Sequence, residues 1–132
     1  MGDIRVLIVD DQSLQRAGYR MVLDSTPGIE VAGEAADGAQ ALAFVRRTPV
    51  DVVLMDIRMP RVNGFVATQR ILDDEQVREL GATPAIVLLT ALDLDDHVAA
   101  AAGAGAYAVL YKDARPEALI EAVQGAAGRR GQ

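Results

Sequence analysis

Five polar residues each stand at the carboxyl end of a short apolar run, and this arrangement constrains the fold more than any other feature of the chain. Arg5-Val-Leu-Ile-Val9 leads into Asp10 and Asp11, Val52-Val-Leu-Met55 into Asp56, Ala85-Ile-Val-Leu-Leu89 into Thr90, and Ala108-Val-Leu-Tyr111 into Lys112. Continuous runs of Val, Ile and Leu are typical of strands covered on both faces, as in a parallel sheet. Strand-like runs alternate with helix-period segments five times, the pattern of an α/β fold built on a parallel sheet. In such sheets the functional crevice lies outside the carboxyl ends of the strands. Three carboxylates, one hydroxyl and one ammonium are therefore expected to meet there.

The spacing predicts strands over 4–9, 30–35, 51–55, 85–89 and 107–111. A first helix is expected to start with Ser13 as N-cap and to carry Leu14, Ala17, Met21 and Val22 on one face, ending before Pro27-Gly28. A second opens at Asp37-Gly38 and buries Ala39, Leu42 and Ala43. A third runs from Gly64 through Phe65, Thr68, Ile71 and Leu72, then continues or loops through Asp73-Asp74-Glu75. A fourth, over 94–104, is so rich in alanine that little side chain is left to anchor it. The fifth begins at Pro116, with Leu119, Ile120, Val123 and Ala127 at helical spacing. One domain over 1–125 is expected, with 126–132 as a fraying tail or the start of a linker.

Bulk properties narrow the function. The chain has 132 residues, enough for one domain with a real core, and no cysteine, so neither a disulfide framework nor a thiolate metal site is open to it. The net charge of −6 and the lack of any long basic run argue against direct DNA binding by this segment. Val6-Leu-Ile-Val9 is too short for a signal-peptide core, and no apolar run approaches a membrane span, so a cytoplasmic location is expected.

Taken singly, each strand-end residue has an ordinary explanation: a helix cap for Asp10 or Asp11, a turn for Asp56, a strand cap for Thr90, a solvated charge for Lys112. Taken together they do not. Two carboxylates about 4 Å apart repel by roughly 4 kcal/mol at an effective dielectric near 20, which calls for a cation. An all-oxygen site with several carboxylates selects a hard ion, and Mg²⁺ binds where phosphate also binds. An aspartate can then attack phosphorus while Mg²⁺, a lysine and a hydroxyl neutralise the phosphoryl oxygens. Asp56 is the best nucleophile because it stands alone at the end of the middle strand, whereas the adjacent Asp10 and Asp11 suit a metal pair.

Ile8-Val-Asp-Asp11, Leu54-Met-Asp-Ile-Arg-Met-Pro60 with Asn63-Gly64, Leu89-Thr-Ala91 and Tyr111-Lys112 resemble the receiver domain of two-component response regulators, over about residues 4–125. Glu34-Ala-Ala-Asp-Gly38, Lys112-Asp113-Ala114 and Pro116-Glu117 look most like the NarL/FixJ subfamily, whose members usually carry a C-terminal helix-turn-helix. The resemblance implies a doubly wound, flavodoxin-like fold with five parallel strands in the order 2-1-3-4-5. It implies that Asp56 accepts a phosphoryl group from a sensor histidine kinase, and that Asp10, Asp11, Asp56 and the backbone carbonyl of Arg58 bind Mg²⁺. Thr90 and Lys112 would sense the phosphoryl group. A phosphorylation-dependent homodimer, DNA contact only through a further output domain, and no membrane partner complete the picture. The domain would be a phosphoacceptor with slow self-dephosphorylation, not an enzyme.

The chain departs from the family pattern at several points. The position three before the lysine, normally the aromatic switch, is Val109; Tyr107 and Tyr111 flank it and either take part of that role or pack in the core. Asp113 follows Lys112 where many receivers have proline, and Arg115 is a poor N-cap before Pro116. The two positions placed by the resemblance to orient a hydrolytic water are Arg58 and Leu92. Neither offers an acceptor, which implies a long-lived phosphoryl group.

Three rivals remain. A haloacid-dehalogenase-like phosphatase needs a second acid where Arg58 stands, and a flavodoxin-like electron carrier needs a phosphate-binding loop where Asp10-Asp11 would repel the anion. The third is a phosphorylation-independent scaffold of receiver shape. His97, the lone histidine, reads as an exposed helix residue.

Overall fold

The computed structural model describes residues 2–81, 83–91 and 94–130. Strands β1 (Ile4–Val9), β2 (Ile29–Ala35), β3 (Val52–Asp56), β4 (Ala85–Thr90) and β5 (Ala108–Tyr111) alternate with α1 (Ser13–Asp24), α2 (Gly38–Arg47), α3 (Gly64–Asp73), the short α4 (Glu75–Glu79), α5 (Leu94–Ala104) and α6 (Pro116–Arg130). The sheet is parallel, in the order β2-β1-β3-β4-β5. Strand parity sorts the two cores. Leu7, Val9, Val53, Met55, Ile86 and Leu88 face α2 and α3, while Val6, Ile8, Val52, Leu54, Val87 and Leu89 face Leu23 of α1 and Leu119 and Val123 of α6. Both faces are buried, which is why the runs are apolar without alternation.

The strands fall within one residue of their predicted bounds, but several helix faces do not. On α1 the buried residues are Tyr19 and Leu23, while Leu14 and Met21 are 85% and 72% exposed. Ser13 is not the cap: Gln12 holds that position without a side-chain bond, and its N–H donates 2.9 Å to Asp10 Oδ1. That bond, with Arg16 reaching back to the Asp10 carbonyl, sets the rotation of α1 and turns the Leu14–Met21 stripe outward. On α2, Asp37 caps as expected, but Ala41 and Val45 are buried and Ala39 and Ala43 are exposed.

The acidic stretch neither continues α3 nor loops. Asp74 ends α3 and caps α4 by accepting from the Val77 N–H at 3.0 Å, while Arg46 of α2 pairs with it at 2.6 Å. Past Gly125 the tail stays helical to Arg130, held by fully buried Ala126. Arg115 offers no cap side chain here, but its carbonyl accepts from the Ala118 and Leu119 N–H groups. As its composition implies, α5 is thinly anchored, with Ala101 and Ala104 its buried residues among those described. Among the described residues no helix is long and apolar enough to cross a membrane.

Candidate functional site

β1 and β3 lie side by side and end level with one another, Val9 pairing with Met55. Asp10 and Asp56 therefore leave the sheet as neighbours. Asp10 is wholly buried and Asp56 is 2% exposed, whereas Asp11, one residue further on, faces solvent. One carboxylate oxygen from each of the three lies within 4.8 Å of the others. Thr90 ends β4 beside β3 and is buried there. Lys112 follows β5, its N–H donating 2.8 Å to the Thr90 carbonyl, which fixes where its side chain starts. Its ammonium then reaches across the strand ends to Asp56 Oδ2 at 2.8 Å and Asp10 Oδ2 at 3.4 Å.

The loop after β3 is held against the same carboxylate. The Arg58 N–H donates to Asp56 Oδ1 at 3.1 Å, and the Arg58 side chain is exposed. Gly64, the first residue of α3, donates its N–H to the Ile57 carbonyl at 2.8 Å. A Cβ on Gly64 would lie 2.7 Å from the Asp56 carbonyl oxygen and 2.8 Å from Ile57 Cα, so only glycine lets α3 approach the Asp56 backbone so closely. Asn63 caps α3 through the Val66 N–H at 3.0 Å.

The electrostatics are asymmetric. Burial raises the Asp56 pKa; the hydrogen bond and charge of Lys112 and the Arg58 N–H pull it down, the Asp10 charge adds to burial, and the net shift is upward. For Lys112, burial works to lower the pKa, but the hydrogen bond and charge of Asp56 together with the charge of Asp10 outweigh it, so the ammonium stays charged. Lys112 alone does not satisfy the acids: Asp10 Oδ2 is buried and makes no hydrogen bond, the ion pair at 3.4 Å being its approach to Lys112. Three carboxylates, one solvent-facing and one with an unsatisfied oxygen, fit a hard divalent cation such as Mg²⁺.

Of the predicted site residues, Asp10, Asp11, Asp56, Arg58, Thr90 and Lys112 gather here. Tyr107 and Tyr111 are exposed, which overturns core packing for them, while Val109 packs against the buried residues on the α2–α3 side of the sheet. His97 is half-buried, its ring 5.6 Å from that of Phe65, and not a freely exposed residue. Leu92 lies outside the described residues. Arg16 joins the site without being singled out by the sequence: Nη1 donates 2.5 Å to the Asp10 carbonyl and Nε 3.0 Å to Glu34 of β2, tying the first acid loop to the sheet edge. Its only sequence signal is a basic residue one and a half turns past the acids, too weak to single it out.

The family model of the response regulator receiver domain matches residues 6–124. The chain is 39% identical over 127 residues to the nitrate/nitrite response regulator protein NarP of Escherichia coli, covering 96% of this chain and 55% of that one. It is 39% identical over 121 residues to the response regulator UvrY of the same organism, covering 92% and 53%. It thus spans about half the length of the curated relatives it matches. The receiver domain of the response regulator NarL from Mycobacterium tuberculosis superposes with a TM-score of 0.85 at 32% identity, over 98% of this chain and 100% of that one. The chain belongs to the receiver domains of two-component response regulators, whose general function is to accept a phosphoryl group on an aspartate.

Proposed function

We propose that Asp56 is the phosphoacceptor and that this domain passes a signal from a sensor histidine kinase to a transcriptional output. The observation that carries the reading is the Lys112 ammonium 2.8 Å from Asp56 Oδ2, beside buried Asp10 and solvent-facing Asp11. An Asp56 carboxylate oxygen attacks the phosphorus of a phosphohistidine. The O–P bond forms as the P–N bond breaks, and its electron pair returns to the imidazole nitrogen. Asp10, Asp11, Asp56 and the Arg58 carbonyl would hold Mg²⁺, which when bound would supply positive charge against the phosphoryl oxygens. Lys112 neutralises the same oxygens, and the Thr90 hydroxyl donates to one of them. The domain acts as a phosphoacceptor that also loses its phosphoryl group slowly, not as an enzyme on a separate substrate.

Phosphorylation converts a carboxylate paired with Lys112 into a bulkier dianion and draws Lys112 and Thr90 towards it. The thinly anchored α5 is the element that yields, because few buried contacts oppose its movement. The surfaces available for a phosphorylation-dependent homodimer are the outward Leu14–Met21 stripe beside α6, and the α5–β5–α6 face that exposes Val98, Tyr107 and Tyr111. DNA is reached through an output domain and not through this one, and the setting is cytoplasmic. The test is incubation with Mg²⁺ and a small phosphodonor, read by intact mass. Wild type gains one phosphoryl group and Asp56→Asn gains none; labelling of Asp56→Asn at the wild-type rate refutes the assignment.

A further inference from the structure

Two buried side-chain atoms among the described residues lack a hydrogen-bond partner, and they are complementary: the Tyr19 hydroxyl, a donor, and Asp10 Oδ2, an acceptor. Buried phenols ordinarily find a partner, so this one calls for an explanation. Tyr19 sits midway along α1, 8% exposed, its ring in the core with Leu23 and Leu119. Helical side chains lean towards the N-terminus of their helix. Because α1 begins just past the carboxyl end of β1, that lean carries the hydroxyl towards the acid cluster. After burial, the charges of Asp10 and then Asp56 act on the phenol, so the acid cluster is within electrostatic reach of the hydroxyl.

We infer that Tyr19 is a positioning residue for Asp10, its hydroxyl donating to the Asp10 carboxylate and fixing the orientation of that group when a divalent cation enters the acid cluster. The inference rests on the proposed metal site. Asp10 Oδ1 is already held by the Gln12 N–H at 2.9 Å, so a donor on the Tyr19 side gives the carboxylate a second point of attachment and stops it from rotating. Hydrogen bonds of this kind orient metal-binding carboxylates, and their loss typically weakens the metal about 10–100-fold. A tyrosine that only fills core volume has no such effect.

The chain has three tyrosines and no tryptophan, so its near-ultraviolet absorption reports tyrosine alone. Mg²⁺ is titrated into wild type, Tyr19→Phe, Tyr107→Phe and Tyr111→Phe, recording the tyrosine difference spectrum and, separately, the dependence of melting temperature on Mg²⁺. The expected result is a difference signal in wild type and both control variants that is lost in Tyr19→Phe. The Mg²⁺ Kd of Tyr19→Phe, read from melting, rises roughly tenfold, and its melting temperature without Mg²⁺ does not fall. Tyr19→Phe that binds Mg²⁺ as wild type does, or keeps the difference signal, overturns the role of Tyr19 while leaving the metal site standing. A fall in its melting temperature without Mg²⁺ also overturns it, since the hydroxyl would then be paired already. A wild type that does not respond to Mg²⁺ removes the metal site and this inference with it.

Discussion

Replacing Lys112 with methionine keeps most of the side-chain volume and removes the one cation among the described residues that pairs with both buried carboxylates. At 2.8 Å from Asp56 Oδ2, the ammonium contributes a gross attraction of about 6 kcal/mol at an effective dielectric near 20. Several kcal/mol of ammonium desolvation are recovered on substitution, and Lys112 keeps 17% of its side chain in solvent. The net loss is then about 3 kcal/mol at pH 7 without Mg²⁺. For 132 residues, an unfolding entropy of about 0.3 kcal/mol per kelvin makes this a drop of roughly 10 °C in Tm. The pH dependence follows from the raised pKa of Asp56. A carboxylate whose folded pKa lies above its unfolded value of about 3.9 gives stability that is complete below that value and lost as pH rises through the folded one. Without Lys112 the folded pKa climbs further, so the deficit of the variant grows with pH and shrinks towards pH 4. Urea denaturation at both pH values, with and without Mg²⁺, measures it, and adding Asp56→Asn should restore most of the stability. A Lys112→Met variant as stable as wild type at pH 7, or with a deficit independent of pH, shows that the ion pair does not carry this weight.

Three further outcomes are expected. Gly64→Ala should cost about 2 kcal/mol in urea denaturation, because its Cβ meets backbone atoms of Asp56 and Ile57 that cannot step aside; a change under about 0.5 kcal/mol contradicts that. Glu34 bonds Arg20 at 2.6 Å and Arg16 at 3.0 Å, which lowers its pKa, so its contribution is present above about pH 4.3 and lost as pH falls through the folded value. Glu34→Gln should accordingly cost about 0.5 kcal/mol at pH 7 and nothing near pH 3, and an equal cost at both rules out the ionic origin. Arg58→Asn supplies an acceptor that can orient water beside Asp56 and should shorten the life of the phosphoryl group after donor removal; an unchanged rate of label loss means this position does not set it.

The sheet and the acid crevice were legible in the sequence because strands buried on both faces must be apolar throughout, leaving the polar residues at their ends conspicuous. Asp10, Asp56, Thr90 and Lys112 are therefore placed by strand length and strand order alone. The α1 sequence, in contrast, carries the predicted stripe Leu14–Ala17–Met21–Val22 and a second, Tyr19–Val22–Leu23, which share Val22 and which periodicity ranks alike. Tertiary structure chose the second, because the Asp10 carboxylate takes the Gln12 N–H and Arg16 takes the Asp10 carbonyl, and those bonds fix the helix rotation. The break after Asp73 was equally hidden, since the cap at Asp74 gains from Arg46, 28 residues earlier in the chain. Tyr19 passes as core for the same reason. Periodicity along one helix records which residues are apolar, but only the packing of that helix against the sheet decides which of them reach the site.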